Sequence, residues 1–137
     1  MTIYLDNRCS EQLPEAEYTA LAEYVLQAEQ ALPESELSIS LVSVQEIHEL
    51  NRQYRGIDAP TDVLAFENDG ELLGDVVLCP AIAREHAQDF DSDFNSEMEL
   101  MLTHAILHLC GYDHQNDEEA EAMEARENEL LDAWRSP

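Results

Sequence analysis

His104-Ala105-Ile106-Leu107-His108-Leu109-Cys110-Gly111-Tyr112-Asp113-His114 reads as the end of a helix followed by a turn. His104 and His108 are i and i+4 residues, so on a helix both imidazoles leave the same face, one turn apart. Gly111 can take the left-handed conformation that ends a helix and turns the chain back. That return brings His114 towards the first two rings. Three convergent neutral nitrogens with an open fourth position make a catalytic zinc site. A lone histidine on an apolar helix face is usually a core residue, and a pair at i, i+4 is often structural. Three around a glycine breaker at this spacing read as metal ligands, one zinc ion per chain. Cys110 lies among them, but a small apolar residue at a helix end is its simpler reading.

Composition narrows the class. Residues 1–137 suit one domain with its own core, and 45% hydrophobic content makes the chain globular. Nothing reads as a signal peptide, and no apolar run reaches the roughly 20 residues of a membrane span. Three widely spaced cysteines, Cys9, Cys79 and Cys110, fit a reducing cytoplasm better than a disulfide framework. The expected location is therefore cytoplasmic, with no membrane contact. Asp and Glu number 31 against 6 arginines and no lysine, for a net charge of −25. Such a surface repels polyanions at long range, which argues against nonspecific nucleic-acid binding. It leaves room for a phosphate substrate held locally by a metal and an arginine. Oligomeric state is not legible.

Along the chain, residues 2–6 read as a strand. Pro14 opens a helix to about Leu32, with Leu21, Val25 and Ala28 inward and Pro33 as its stop. Leu37, Ile39 and Leu41 alternate with polar neighbours as a half-buried strand. Ser43 and Glu46 form a capping box for a helix from Val44 to about Tyr54, with Ile47, Leu50 and Tyr54 inward. Residues 55–61 are a loop. Asp62 to Phe66 and Leu72 to Cys79 read as a hairpin around Asn68-Asp69-Gly70. Pro80 starts a helix to about Phe90. Ser96 with Glu99 reads as a second capping box for the histidine helix, and Asp117 as the cap of a last acidic helix. His48 and His86 fall among polar neighbours and read as solvent-facing. The order βαβαββααα predicts an α+β domain: a small mixed sheet of about four strands, about five helices, and a zincin-like metal helix.

Three segments together resemble the YbeY family of bacterial endoribonucleases, also described as predicted metal-dependent hydrolases. The first is Asn51-Arg52-Gln53-Tyr54-Arg55-Gly56-Ile57-Asp58-Ala59-Pro60-Thr61-Asp62-Val63-Leu64-Ala65-Phe66, close to the family pattern N-x-x-Y-R-x-x-D-x-P-T-D-V-L-S-F. The second is Leu73-Gly74-Asp75-Val76-Val77-Leu78. The third is the histidine block, where the family reads H-G-x-L-H-L-x-G-Y-D-H. The resemblance implies that His104, His108 and His114 are zinc ligands and that Arg55 is the functionally important arginine. It also implies a role in 16S rRNA 3′-end maturation and ribosome quality control, with ribosomal RNA as substrate and the ribosome or its associated proteins as partners.

The residues fit that chemistry. Zinc on three histidines lowers the pKa of bound water to about 7. Phosphodiester cleavage builds negative charge on phosphoryl oxygens, which a metal and a bidentate guanidinium stabilise. The competing reading of Arg55 is a surface arginine paired with one of the many carboxylates. Asp75 and Asp113 are candidates to orient a ligand imidazole, though lone aspartates are more often turn or cap residues. Thr61 and Asp62 are candidates to cap or brace the loop that holds Arg55. Two other functions stay open. The spacing matches the metzincin zinc motif H-E-x-x-H-x-x-G-x-x-H, which suggests a protease or amidase, but Ala105 stands where those enzymes carry their general base. A ribosome-associated module with a structural zinc is the third reading.

Overall fold

The computed structural model describes residues 1–68, 70 and 72–136. Its elements follow the order β1 (Thr2–Asn7), α1 (Glu15–Ala28), β2 (Glu36–Leu41), α2 (Val44–Arg55), β3 (Val63–Glu67), β4 (Leu72–Leu78), α3 (Pro80–Asp89), α4 (Phe94–Leu109) and α5 (Asp117–Arg135). The strands form one sheet in the order β1-β2-β4-β3. β1, β2 and β4 run parallel, and β3 pairs antiparallel with β4 as an edge strand. This is the α+β architecture and the mixed sheet that the element order implies. The hairpin forms as read, although Asp69 of its turn lies outside the described residues.

Period-two alternation decides which face of the sheet is buried. Leu37, Ile39 and Leu41 of β2, with Val76 and Leu78 of β4, pack into the main core with α1 and α4. A smaller cluster on the other face holds Val42, Ile47, Leu64, Val77, Cys79 and Ile82, under α2. α4 is the central helix: Met98, Met101, Leu102, Thr103, Ala105, Ile106, Leu107 and Leu109 are all buried. A helix apolar nearly all round belongs inside, and each fully buried leucine or isoleucine contributes about 1.5–3 kcal/mol. From Met101 to Leu109 the residues that stay half-open are His104 and His108. Gly74 lets this helix close on the sheet: a Cβ there would meet Phe66 O at 2.4 Å and Leu109 Cδ2 at 2.8 Å.

Several boundaries differ from the sequence reading. α1 ends at Ala28, short of Leu32, because Gln30 turns left-handed at φ 61° and Ala31 N–H donates to Leu26 O; Pro33 follows the stop and does not make it. The Asp93 carboxylate, not Ser96, caps α4, accepting Ser96 N–H at 3.1 Å. The Asn116 amide oxygen, one residue before Asp117, caps α5 by accepting Glu119 N–H at 2.8 Å. In α2 the capping bond from Glu46 N–H to Ser43 Oγ forms as read, and Ile47 is buried. Tyr54 is not: it is 62% exposed. It stands in the last turn of α2, edge-on to Phe66 of β3 with centroids 5.4 Å apart. The buried place goes to Asn51, whose Nδ2 donates to Ala59 O at 2.8 Å and ties the following loop to the helix.

Candidate metal centre

α4 ends as its glycine dictates. Gly111 has φ 110°, its N–H donates to His108 O and the Tyr112 N–H to Leu107 O, both at 3.1 Å. This reversal carries His114 back over the helix, where its backbone N–H is held by the Asp113 carboxylate at 2.7 Å. The His114 ring centroid then lies 5.8 Å from that of His104 and 6.5 Å from that of His108. All three rings line one cleft of about 420 Å³ between α4 and the edge strand β3. Arg55 lines the same cleft, as do Tyr54 and Phe66.

Arg55 reaches it because α2 stops there. Gly56 is left-handed at φ 70°, its N–H donates to Arg52 O, and Ile57 N–H donates to Asn51 O. Arginine charge is otherwise spent on carboxylates: Arg8 on Glu46 and Asp6, Arg52 on Glu49, Arg84 on Glu11, Arg126 on Glu29 and Glu129, Arg135 on Glu99. Among the described residues Arg55 alone of the arginines has no hydrogen bond or ion pair. The chain has 31 acidic side chains, yet this guanidinium lines the cleft of the three imidazoles without a carboxylate partner.

The carboxylate that orients an imidazole is Glu127 of α5. His104 Nδ1–H donates to Glu127 Oε1. That bond raises the His104 pKa against the opposing effect of burial. It also leaves Nε2 as the free nitrogen of the ring. Glu127 is only 7% exposed. Its sequence signal was its place on the buried stripe Met123, Glu127, Leu130, Leu131, where a charged residue needs a partner. Of the two aspartates that the sequence offers to orient an imidazole, Asp113 holds the His114 backbone. Asp75 lines a separate cavity on the other face of the sheet. Thr61 Oγ1 donates to Asp62, and Asp62 stands 3.4 Å from His86. His48 pairs with Asp58 at 2.8 Å. Both outer histidines are thus half-exposed and tied to carboxylates. Burial pushes the Cys110 thiol up to about 11, which makes it a poor source of thiolate.

The residues fit a zinc ion. Three neutral imidazoles are a preferred donor set. One is already oriented through its second nitrogen, as metal-bound histidines usually are. His108 Nδ1 is buried in the cleft wall with no hydrogen-bond partner, the kind of orphan that an ion or ordered water offsets. Among the described residues no three such side chains stand closed at metal-binding separation. His114, exposed on its loop, is the ring that stands 5.8 Å and 6.5 Å from the other two.

The family model for Endoribonuclease YbeY matches residues 4–135. The chain belongs to the YbeY family. Endoribonuclease YbeY of Bacillus subtilis (strain 168) is 37% identical over 128 aligned positions, covering 83% of this chain and 82% of the relative. Endoribonuclease YbeY of Pelotomaculum thermopropionicum is 42% identical over 123 positions, covering 82% and 81%. The solution structure of TM1509 from Thermotoga maritima superposes with a TM-score of 0.67 at 33% identity, covering 98% of this chain and 92% of that one. The YbeY fold thus spans the chain from β1 to α5. Among the described residues no helix is long and apolar enough to cross a membrane.

Proposed function

We propose that this chain is a zinc-dependent endoribonuclease acting on single-stranded ribosomal RNA, at the 3′ end of 16S rRNA and in ribosome quality control. The endoribonuclease reading follows the names of its YbeY relatives. The observation that carries it to this site is Arg55, unpaired and lining one cleft with His104, His108 and His114. When bound on these histidines, zinc supplies Lewis acidity and an activated water near neutral pH. The chain supplies the rest. Arg55 binds a non-bridging phosphate oxygen pair bidentately and opposes the charge that grows on it. Glu127 holds the proton on His104 Nδ1, so Nε2 stays a donor of its lone pair. Val63 to Phe66 of β3 and Ala105 of α4 form the apolar wall beside the histidines. Ala105 offers no carboxylate to shuttle a proton, which supports phosphodiester over peptide chemistry. An open cleft beside the histidines supports a catalytic over a structural metal.

The test is cleavage of a 16S 3′-end fragment by chain purified without added metal, with zinc content read in parallel. Arg55→Ala is expected to keep its zinc and lose at least about 100-fold in kcat/KM, the scale of one transition-state charge contact. A His104→Ala, His108→Ala double variant is expected to lose the zinc. Full activity in the Arg55 variant, or unchanged zinc in the double variant, overturns the reading.

A further inference from the structure

Tyr54 and Phe66 line two cavities at once. One is the histidine cleft; the other is a cavity of about 320 Å³ on the open face of the sheet, lined also by Arg8, Ser40, Leu50 and Asp75. The pairing register explains its floor. Asp75 of β4 lies directly across from Ser38 of β2 and from Phe66 of β3, so all three share one sheet face. α2 covers this face only in part, and the exposed Tyr54 ring overhangs its edge. Arg8, at the cavity, is engaged by Glu46 at 3.1 Å. Among the described residues the Asp75 carboxylate has no hydrogen-bond or ion-pair partner, nor has the Ser40 hydroxyl.

An aromatic wall, a half-buried unpaired carboxylate and a free hydroxyl next to a phosphate-binding cleft define one kind of ligand. We propose that this cavity binds a guanine base of the RNA strand whose phosphate occupies the histidine cleft, a subsite that rests on the endoribonuclease reading above. The base face packs on the exposed Tyr54 ring, with Phe66 at its edge, as bases stack on aromatics in single-strand binding proteins. The guanine N1–H and N2–H donors lie side by side on one edge and meet the two oxygens of Asp75. Adenine, cytosine and uracil present no such adjacent donor pair. Because Tyr54 precedes Arg55 in the chain, base and phosphate are gripped from neighbouring residues at the end of one helix. The carboxylate also gives an acidic chain a way to select RNA without adding positive charge.

The test uses the zinc-loaded chain and short 2′-O-methyl oligouridylates, checked by gel to stay intact during the measurement, carrying one central guanine, hypoxanthine or abasic site. Hypoxanthine lacks only the N2 donors. Anisotropy is expected to give about tenfold tighter binding for guanine than for hypoxanthine, the range of one charge-assisted contact. That ratio is expected to collapse towards one in Asp75→Ala. Tyr54→Ala is expected to cut the advantage of guanine over the abasic strand by about tenfold, one stacking contact. Melting temperatures check that each variant is folded, and Asp75→Asn serves if the alanine variant is not. Equal binding of guanine and hypoxanthine, or a ratio unchanged in Asp75→Ala, overturns the base site. The 2′-hydroxyl versions separate the two ideas. Cleavage that needs Arg55 but ignores the base sinks only this subsite, whereas no cleavage of any strand sinks the nuclease reading beneath it.

Discussion

At the scale of single residues, two buried polar groups have opposite fates. Glu127 is buried and bonded to His104; on the proposed zinc reading it keeps one imidazole in the tautomer and orientation that a metal needs. Glu127→Gln keeps the shape and removes the charge. Zinc affinity is expected to fall about 10–100-fold, the usual effect of losing such a partner, read by competition with a chelating dye. Unchanged affinity would place Glu127 outside the site. Tyr18 is buried with its hydroxyl unpartnered, and burial pushes its pKa from 10.0 to about 12. Its neutral form is therefore favoured in the folded state. The stability it contributes is fully present below pH 10 and is lost as pH rises towards 12. Tyr18→Phe is expected to flatten that alkaline loss. At pH 7 it should be no less stable, and up to about 1 kcal/mol more, because a buried unsatisfied hydroxyl is removed. Denaturant titrations from pH 7 to 11 decide it; a destabilised phenylalanine variant would reveal a hidden partner for the hydroxyl.

At the scale of elements, the site is made by two helix endings. α2 ends at Gly56 and delivers Arg55; α4 ends at Gly111 and delivers His114. These φ values, 70° and 110°, differ in consequence. A value near 70° is ordinary left-handed geometry that asparagine also adopts, whereas 110° lies outside it and is open only to glycine at low cost. Gly111→Ala has open space for its Cβ, so its cost is backbone strain alone, about 1–3 kcal/mol. The turn is expected to relax by moving His114. Zinc should then bind through two histidines, with affinity falling by more than the melting temperature alone accounts for. A variant that loses stability but keeps native zinc affinity would mean that the turn does not aim His114.

At the scale of the whole molecule, charge dominates. A net charge of −25 repels RNA beyond the reach of the cleft and strains the fold against itself. Ordinary RNA-binding proteins lose affinity steeply with salt because their cations displace condensed counterions. Here five of the six arginines are committed to carboxylates, so few such contacts exist. Cleavage of naked RNA is expected to be weak, and flat or rising as potassium chloride increases over a Debye length of about 10 Å at 0.1 M. Efficient cleavage then calls for a ribosome or a basic partner to hold the strand. Tight binding at low salt that collapses as salt rises would refute this account of the surface and leave the proposed metal site standing.

What the sequence determined by itself were the features with local causes. The period-two run at Leu37, Ile39 and Leu41, the Ser43 cap and the glycine after His108 set element type and order, because dihedral preference and near-neighbour burial act within a few residues. The histidine spacing was legible for the same reason, since i and i+4 on a helix share a face. Tertiary structure decided what depends on residues far apart in the chain. It placed β3 at the edge of the sheet, so the cleft has a wall; it chose Glu127, 23 residues after His104, over the nearer Asp113; it left Arg55 unpaired and turned Asp75 onto the other sheet face. Local propensity cannot rank one carboxylate above another. Only the packing of α5 on α4 and the register of β4 between β2 and β3 bring a particular charge to a particular partner, or leave it without one.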